Sequence, residues 1–436
     1  MSGHAKAVWA ERTAGDPVSM STLGAEARRR SSTGRSSDKL YSRDELGADQ
    51  DFTHNCRIGI DSRRHNKLIA ASCSDPTGPA CGVLRTDGRI EFRMWARNPE
   101  GLVPVPGTRW LIASGMEAGA GLKLVDTGAR TARLFYTGNP AQQHPDKKLF
   151  PNCPASPDAK TFNAHGIYLR RAHAPGLYTL YVVSHGALES IQIFTVDVRG
   201  LEPSLTWTGC VPMPEENKAY ANLGSQATSN RVTANAVAAF SDGTIIATIP
   251  QRPGTTNAQR IKGEPTGDVV EWKPGTDSFH VIPGTQLAGN NGIEISPDET
   301  EFYVVSFGTH TIVIFSRQDP RKPIRQSLAP GFMPDNLRWS GDRLIAAGSV
   351  YDEPACGGTR LAVVDDSVLT SCHRGYMVAQ FDPRTMTWAV LAYAQPNPAL
   401  SVVSTGVVMG DTLWIGAASA DGIAYRPLPR PVSGAR

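Results

Sequence analysis

Residues 291–306 read NGIEISPDETEFYVVS: a polar residue, a glycine, a short apolar run, a turn of Ser, Pro, Asp and Glu, and a second run of aromatic and β-branched residues. Pro and Asp suit the turn, and Phe, Tyr and Val suit a pleated strand, so the stretch predicts two β-strands joined by a tight connection. The phrase recurs along the chain. Glu100-Gly101-Leu102 runs to TRWLIASG, His165-Gly166-Ile167 to LYTLYVVS, and Asn235-Ala236-Val237 to DGTIIATIP. Asn336-Leu337 runs to DRLIAAGS and Thr405-Gly406-Val407 to DTLWIGAA, which makes six copies. Between them lie further strand–turn–strand segments, GLKLVDTGARTARLFY (121–136), GDVVEWKPGTDSFHVI (267–282) and YMVAQFDPRTMTWAVL (376–391).

Two strands from each leading phrase and two from each follower make a four-stranded sheet. Six such sheets arranged radially predict an all-β fold, a six-bladed β-propeller, over residues 51–430. No segment sustains a 3.6-residue apolar period, so helices should be few. Gly (42) and Pro (32) are spread between the apolar runs of the 436-residue chain, as many turns require. Residues 1–50 carry Arg28-Arg29-Arg30-Ser31-Ser32 and few large apolar residues, and are expected to be a disordered tail.

In a propeller the first strand of each blade lines the central channel, so the leading residues should converge at one end of it. They are Glu100, His165, Asn235, Asn291 and Asn336, with Asp335 beside the last: carboxylates, carboxamides and an imidazole where a simple core would have apolar side chains. Calcium takes six to eight oxygen ligands, and Asn carbonyl oxygens serve beside carboxylates. Glu100 and Asp335 supply two negative charges against one Ca²⁺. Zinc would call for His and Cys at four-coordinate spacing, and CxxC spacing is absent.

The chain resembles the paraoxonase/arylesterase family, a branch of the calcium-dependent six-bladed propeller lactonases. The resemblance covers roughly residues 90–425. It rests on FNAHGI (162–167), YVVSH (181–185), NNGIEISPDETEFYVV (290–305) and MPDN (333–336), with weaker matches at PEGL (99–102), TANAV (233–237) and VSTGVVMGDTLWIG (403–416). It implies that Glu100, Asn235, Asn291, Asp335 and Asn336 hold a catalytic calcium ion and that His165 and His185 are the histidine pair beside it. The family's second, structural calcium lies lower in the channel, and two of its carboxylate positions fall here on Gly101 and Ala236, so that ion is not expected. The family's disulfide joins an N-terminal strand to the last strand; Cys56 could supply the first half, but the strand near Ala424-Tyr425-Arg426 has no cysteine.

The expected activity is calcium-dependent hydrolysis of lactones or carboxylic (aryl) esters by water, with His165 as base and His185 orienting it or relaying its proton. Alternatives are a sugar lactonase or phosphotriesterase on the same site, or a non-catalytic binding propeller. No GxSxG elbow is present. A net charge of +3 without a basic, aromatic-interleaved stripe argues against a nucleic-acid partner, and no apolar run is long enough for a transmembrane helix. Lacking an apolar signal region, the chain is expected in the cytoplasm. Of the seven cysteines, Cys73/Cys81 and Cys356/Cys372 are spaced to close short loops. Residues 351–375 read as an insertion beside the site. Selectivity is expected in the loops near 137–160, 211–232, 251–266 and 350–375, with KKLFPNCP (147–154) as a lid.

Overall fold

The computed structural model describes residues 56–60, 67–73, 84–86, 91–359 and 372–428. The expected N-terminal tail lies outside them. Six four-stranded antiparallel sheets follow one another as the blades of a propeller. Blade 1 is Leu102–Pro104, Trp110–Ser114, Leu122–Asp126 and Thr131–Leu134. Blade 2 is Ala164–Arg171, Leu177–Ser184, Ser190–Asp197 and Ser204–Pro212. Blade 3 is Val237–Ala239, Ile245–Ile249, Asp268–Trp272 and His280–Val281. Blade 4 is Asn290–Ile295, Glu301–Ser306, Thr311–Ser316 and Pro323–Gln326. Blade 5 is Phe332–Ser340, Arg343–Val350, Tyr376–Asp382 and Thr387–Ala394.

Blade 6 takes three strands from the end of the chain, Leu400–Met409, Thr412–Ala420 and Gly422–Pro427, and its outer strand from the beginning, Glu91–Trp95. Trp95 pairs with Gly422 and Glu91 with Tyr425, so the ring closes on hydrogen bonds between sequence-distant strands. Each first strand packs on the first strand of the next blade, and that of blade 6 returns to that of blade 1. The strands Cys56–Ile60, Lys67–Cys73 and Leu84–Thr86 form a separate three-stranded sheet. Cys56 therefore lies outside the closing strand.

Burial falls from the axis outward. The second strands Trp110–Ser114 and Ile245–Ile249 are buried along their whole length, because neighbouring blades cover both faces. That double cover explains their unbroken apolar runs, where a half-exposed strand would alternate. The outer strands Thr131–Leu134 and Pro323–Gln326 are mostly exposed.

The antiparallel order places the start of every first strand and the end of every second strand at one end of the channel. Over that end lie the connection with the short helix Glu216–Ala219, the loop with the helix Asn257–Ile261, and the insertion after Val350. The insertion pairs Asp352–Glu353 with Gly358–Thr359 and is pinned by a Cys356–Cys372 disulfide. Cys81 falls outside the described residues.

A second disulfide, Cys153–Cys210, joins residues 57 apart. It alters the reading of KKLFPNCP. Gln143 bridges to Trp207, His144 donates to the Trp207 carbonyl, and Phe150 packs on Gly209 and stacks on Trp272 at 5.8 Å. This segment is a strap on the outer edge of blades 2 and 3, not a lid, because its one large aromatic side chain is buried there. Among the described residues no helix is long and apolar enough to cross a membrane.

Candidate functional site in the central channel

The leading residues sit on irregularities in the inner strands. In blade 2, Ile167 pairs with Val182 but Ala164 with Ser184, so His165 and Gly166 together oppose Val183. Asn291-Gly292 stand in the same two-against-one relation to Val305, and Asp335-Asn336 to Ala347. Such bulges re-aim side chains and often lie beside functional sites. In blades 1 and 3 a hydroxyl from the second strand meets the displaced amide: Ser114 Oγ accepts from Gly101 N at 2.8 Å, and Thr248 Oγ1 from Ala236 N at 3.0 Å. Two glycines let the inner strands touch. A methyl group at Gly166 would collide with the Asn235 carbonyl, and one at Gly292 with the Asp335 carbonyl.

The result is a buried cluster at the channel mouth. Glu100, Asn291, Asp335 and Asn336 are all under one-tenth exposed. Asn336 Nδ2 donates to Glu100 Oε1, and the Asn291 side chain bonds to the Asp335 carboxyl. His165 Nε2 lies 3.7 Å from Glu100 Oε1. On the far side of that ring, His165 Nδ1 is 2.8 Å from His185 Nε2. Asn235 stands at the head of blade 3, where its backbone carbonyl accepts from Gly166 N.

Four oxygens of this set are buried without any hydrogen-bond donor: Glu100 Oε2 and the Oδ1 atoms of Asn235, Asn291 and Asn336. Asn163 Oδ1, before the inner strand of blade 2, shares that condition. Each buried, unsatisfied acceptor costs about 1–3 kcal/mol, so several of them at the heads of the inner strands are expensive unless something positive meets them. Burial pushes the Glu100 carboxyl up to about 7 against the opposing Asn336 hydrogen bond and the charge of Arg338. Asp335 is raised well above the ordinary range, first by burial and then by Glu100. Burial, and then His185, hold His165 well below the usual imidazole value, so it is neutral at pH 7.

These atoms could hold one hard divalent cation: the donors are oxygens, two are carboxylates, and carboxamides complete the set. Among the described residues no group of three or more His, Cys, Asp or Glu is placed to hold a metal, so a histidine- and thiolate-rich zinc cage is not built here. Glu100 and Asp335 titrate higher in the folded chain than in the unfolded one, so without a cation their protonated forms stabilise the fold at low pH, and that contribution is lost as pH rises, for Glu100 through about 7. A divalent cation bound there would replace those protons. We expect the stability gained on adding calcium to grow between pH 5 and 7.5, read as the shift in urea midpoint with and without chelator; a calcium increment flat with pH would contradict it.

Two residues of the channel escaped the sequence reading. Glu189 accepts from His185 Nδ1 at 2.9 Å through Oε2 and lies 3.1 Å from it through Oε1. One level below the cluster, Arg338 crosses the channel. Its Nε donates to Leu102 O at 2.9 Å, Nη2 to Ile167 O at 2.7 Å and Nη1 to Leu337 O at 2.6 Å, with Glu294 Oε1 3.7 Å away. At the rim, the capped helix Asn257–Ile261 sets the Arg260 guanidinium over the Phe307 ring at 5.4 Å, where its charge reaches Asp335.

Fold and site together define a six-bladed propeller with a buried, oxygen-rich, histidine-flanked cluster at one end of its channel. No family model matches the sequence, and no curated protein matches it. Among solved structures the chain is similar to a luciferin-regenerating enzyme, at 13% identity and TM-score 0.42, covering 77% of this chain and 92% of that one. It is also similar to a glucose-dehydrogenase-type oxidoreductase of Thermus thermophilus, at 13% identity and TM-score 0.39, covering 78% of this chain and 99% of that one.

Proposed function

We propose that the protein is a calcium-dependent hydrolase of lactones or carboxylic (aryl) esters, of the paraoxonase/arylesterase type. The observation that carries the reading is the cluster of buried acceptors without donors on Glu100, Asn235, Asn291 and Asn336, set against two carboxylates that burial drives toward protonation. Glu100, Asn235, Asn291, Asp335 and Asn336 would hold the ion. Bound there, calcium supplies Lewis acidity, polarising the substrate carbonyl and stabilising the oxyanion that develops on it.

The chain's own contribution is proton handling and exclusion of water. His165, neutral because it is buried, offers a ring nitrogen at the edge of the cluster and takes the proton of the attacking water. His185 supports it from behind through the 2.8 Å contact. The low exposure of the cluster keeps the local dielectric low, which strengthens each of these interactions.

A panel of lactones, aryl esters, sugar lactones and phosphotriesters, each assayed with chelator and then with restored Ca²⁺, tests the proposal. The expected result is turnover of a lactone or aryl ester that chelation abolishes and calcium restores. Turnover indifferent to chelation, or no turnover of any ester or lactone by protein shown to bind calcium, would overturn it.

A further inference from the structure

The third member of the histidine chain determines which nitrogen faces the cluster. Glu189 lies just beyond the second strand of blade 2, four residues after His185, with its carboxylate against His185 Nδ1 at 2.9 Å and 3.1 Å. An ionised carboxylate can only accept a hydrogen bond, so His185 Nδ1 must carry hydrogen. In a neutral imidazole the other nitrogen then has none, and His185 Nε2 is an acceptor. Its partner at 2.8 Å is His165 Nδ1, which must therefore be the donor. His165 in turn is left with a bare Nε2, the nitrogen 3.7 Å from Glu100 Oε1.

We propose that Glu189 is a positioning residue that fixes the tautomers of both histidines, so that His165 presents a lone pair to the cluster, and that it forms the solvent end of a proton path. The inference rests on the hydrolase reading for its catalytic consequence, but not for the tautomers themselves. Burial decreases along the chain: the side chains of His165, His185 and Glu189 are 12%, 16% and 23% exposed. A proton taken from water at His165 Nε2 displaces the Nδ1 proton to His185 Nε2. The His185 Nδ1 proton passes to the Glu189 carboxylate and leaves to solvent from there. One proton enters and one leaves, so both rings stay neutral with their tautomers exchanged; the reverse relay, a solvent proton entering through Glu189 to His185 Nδ1, the His185 Nε2 proton passing to His165 Nδ1 and the His165 Nε2 proton going to the leaving alkoxide, restores the starting state.

The experiment uses the full chain, ¹⁵N-labelled on histidine, as the parent protein and as Glu189→Leu and Glu189→Gln. The expected result in the parent is protonated Nδ1 and bare Nε2 on both rings. In Glu189→Leu both rings should become mixtures of tautomers, while Glu189→Gln, which keeps an acceptor oxygen, should hold more of the parent pattern. Turnover of the substrate found in the panel should fall about 100-fold in kcat for Glu189→Leu, the lower end of what acid–base assistance supplies, with KM within about threefold and partial rescue by Gln. A proton on His165 Nε2 in the parent, or tautomers unmoved in Glu189→Leu, would overturn the proposal while leaving the hydrolase reading intact. If no substrate is turned over, the nitrogen spectra decide it alone.

Discussion

Asn291→Ala is expected to abolish at least 99% of calcium-dependent turnover while leaving the chelated protein folded. The side chain is 8% exposed, its Oδ1 has no donor, and its amide end is spent on Asp335. Outer-shell partners of a metal are worth about 10–100-fold in affinity or activity, so a direct oxygen ligand should reach at least the upper end of that range. The readout is twofold. In the parent, calcium at a hundredfold excess over its Kd should stabilise the fold by about 2.7 kcal/mol, seen as a rise in urea midpoint. In Asn291→Ala most of that increment should vanish together with the activity. The calcium-free proteins should differ much less, because the substitution removes an unsatisfied acceptor along with the hydrogen bond to Asp335. Full, chelator-sensitive activity in the variant would place the catalytic centre elsewhere.

Arg338→Met is expected to cost about 3–5 kcal/mol of stability, the range for breaking a buried ion pair by removing one partner. The guanidinium is 6% exposed and donates to three carbonyl oxygens, those of Leu102, Ile167 and Leu337, carried by the inner strands of blades 1, 2 and 5. Glu294, on the inner strand of blade 4, is its counter-charge, and burial already raises that carboxyl to about 7 against Arg338. Removing the arginine leaves the three acceptors without this donor and the acid without its ion pair. Adding Glu294→Met should recover part of the loss, since an apolar pair of similar volume can replace a buried ion pair at little net cost. Urea melts of the single and double variants measure both effects; a single variant within about 1 kcal/mol of the parent would refute the assignment. The same geometry bears on metal content. This level of the channel already has a resident cation built into the chain, so a calcium titration should end at one ion per chain, and chelation should lower activity without unfolding the propeller.

Much of the architecture could be read from local chemistry. Turn residues such as Ser241-Asp242-Gly243, with Gly243 at φ +86° and Asp242 accepting from Thr244 N, specify their hairpin within a few residues. The unbroken apolar runs of the second strands announce double-sided burial, and the followers at 121–136, 267–282 and 376–391 became third and fourth strands as expected. The leading residues could be nominated because polar side chains recurred where an ordinary core would be apolar.

What the sequence by itself determined was the list of strands and the polar residue that heads each inner one, because turn chemistry and hydrophobic runs act over a few residues and leave their mark there. Only the tertiary structure decided how distant pieces meet. Glu91–Trp95 closes blade 6, Cys153 finds Cys210, Arg338 spans three blades, and Glu189 backs the histidine pair. Arg338 sits inside NLRWS, where one arginine in a strand has no local signature, and Glu189 lies in a short turn. Their roles come from closing a ring of sheets, which brings residues as far apart as Arg338 and Leu102, 236 positions, into hydrogen-bond contact, and no pattern of neighbours along the chain encodes that distance.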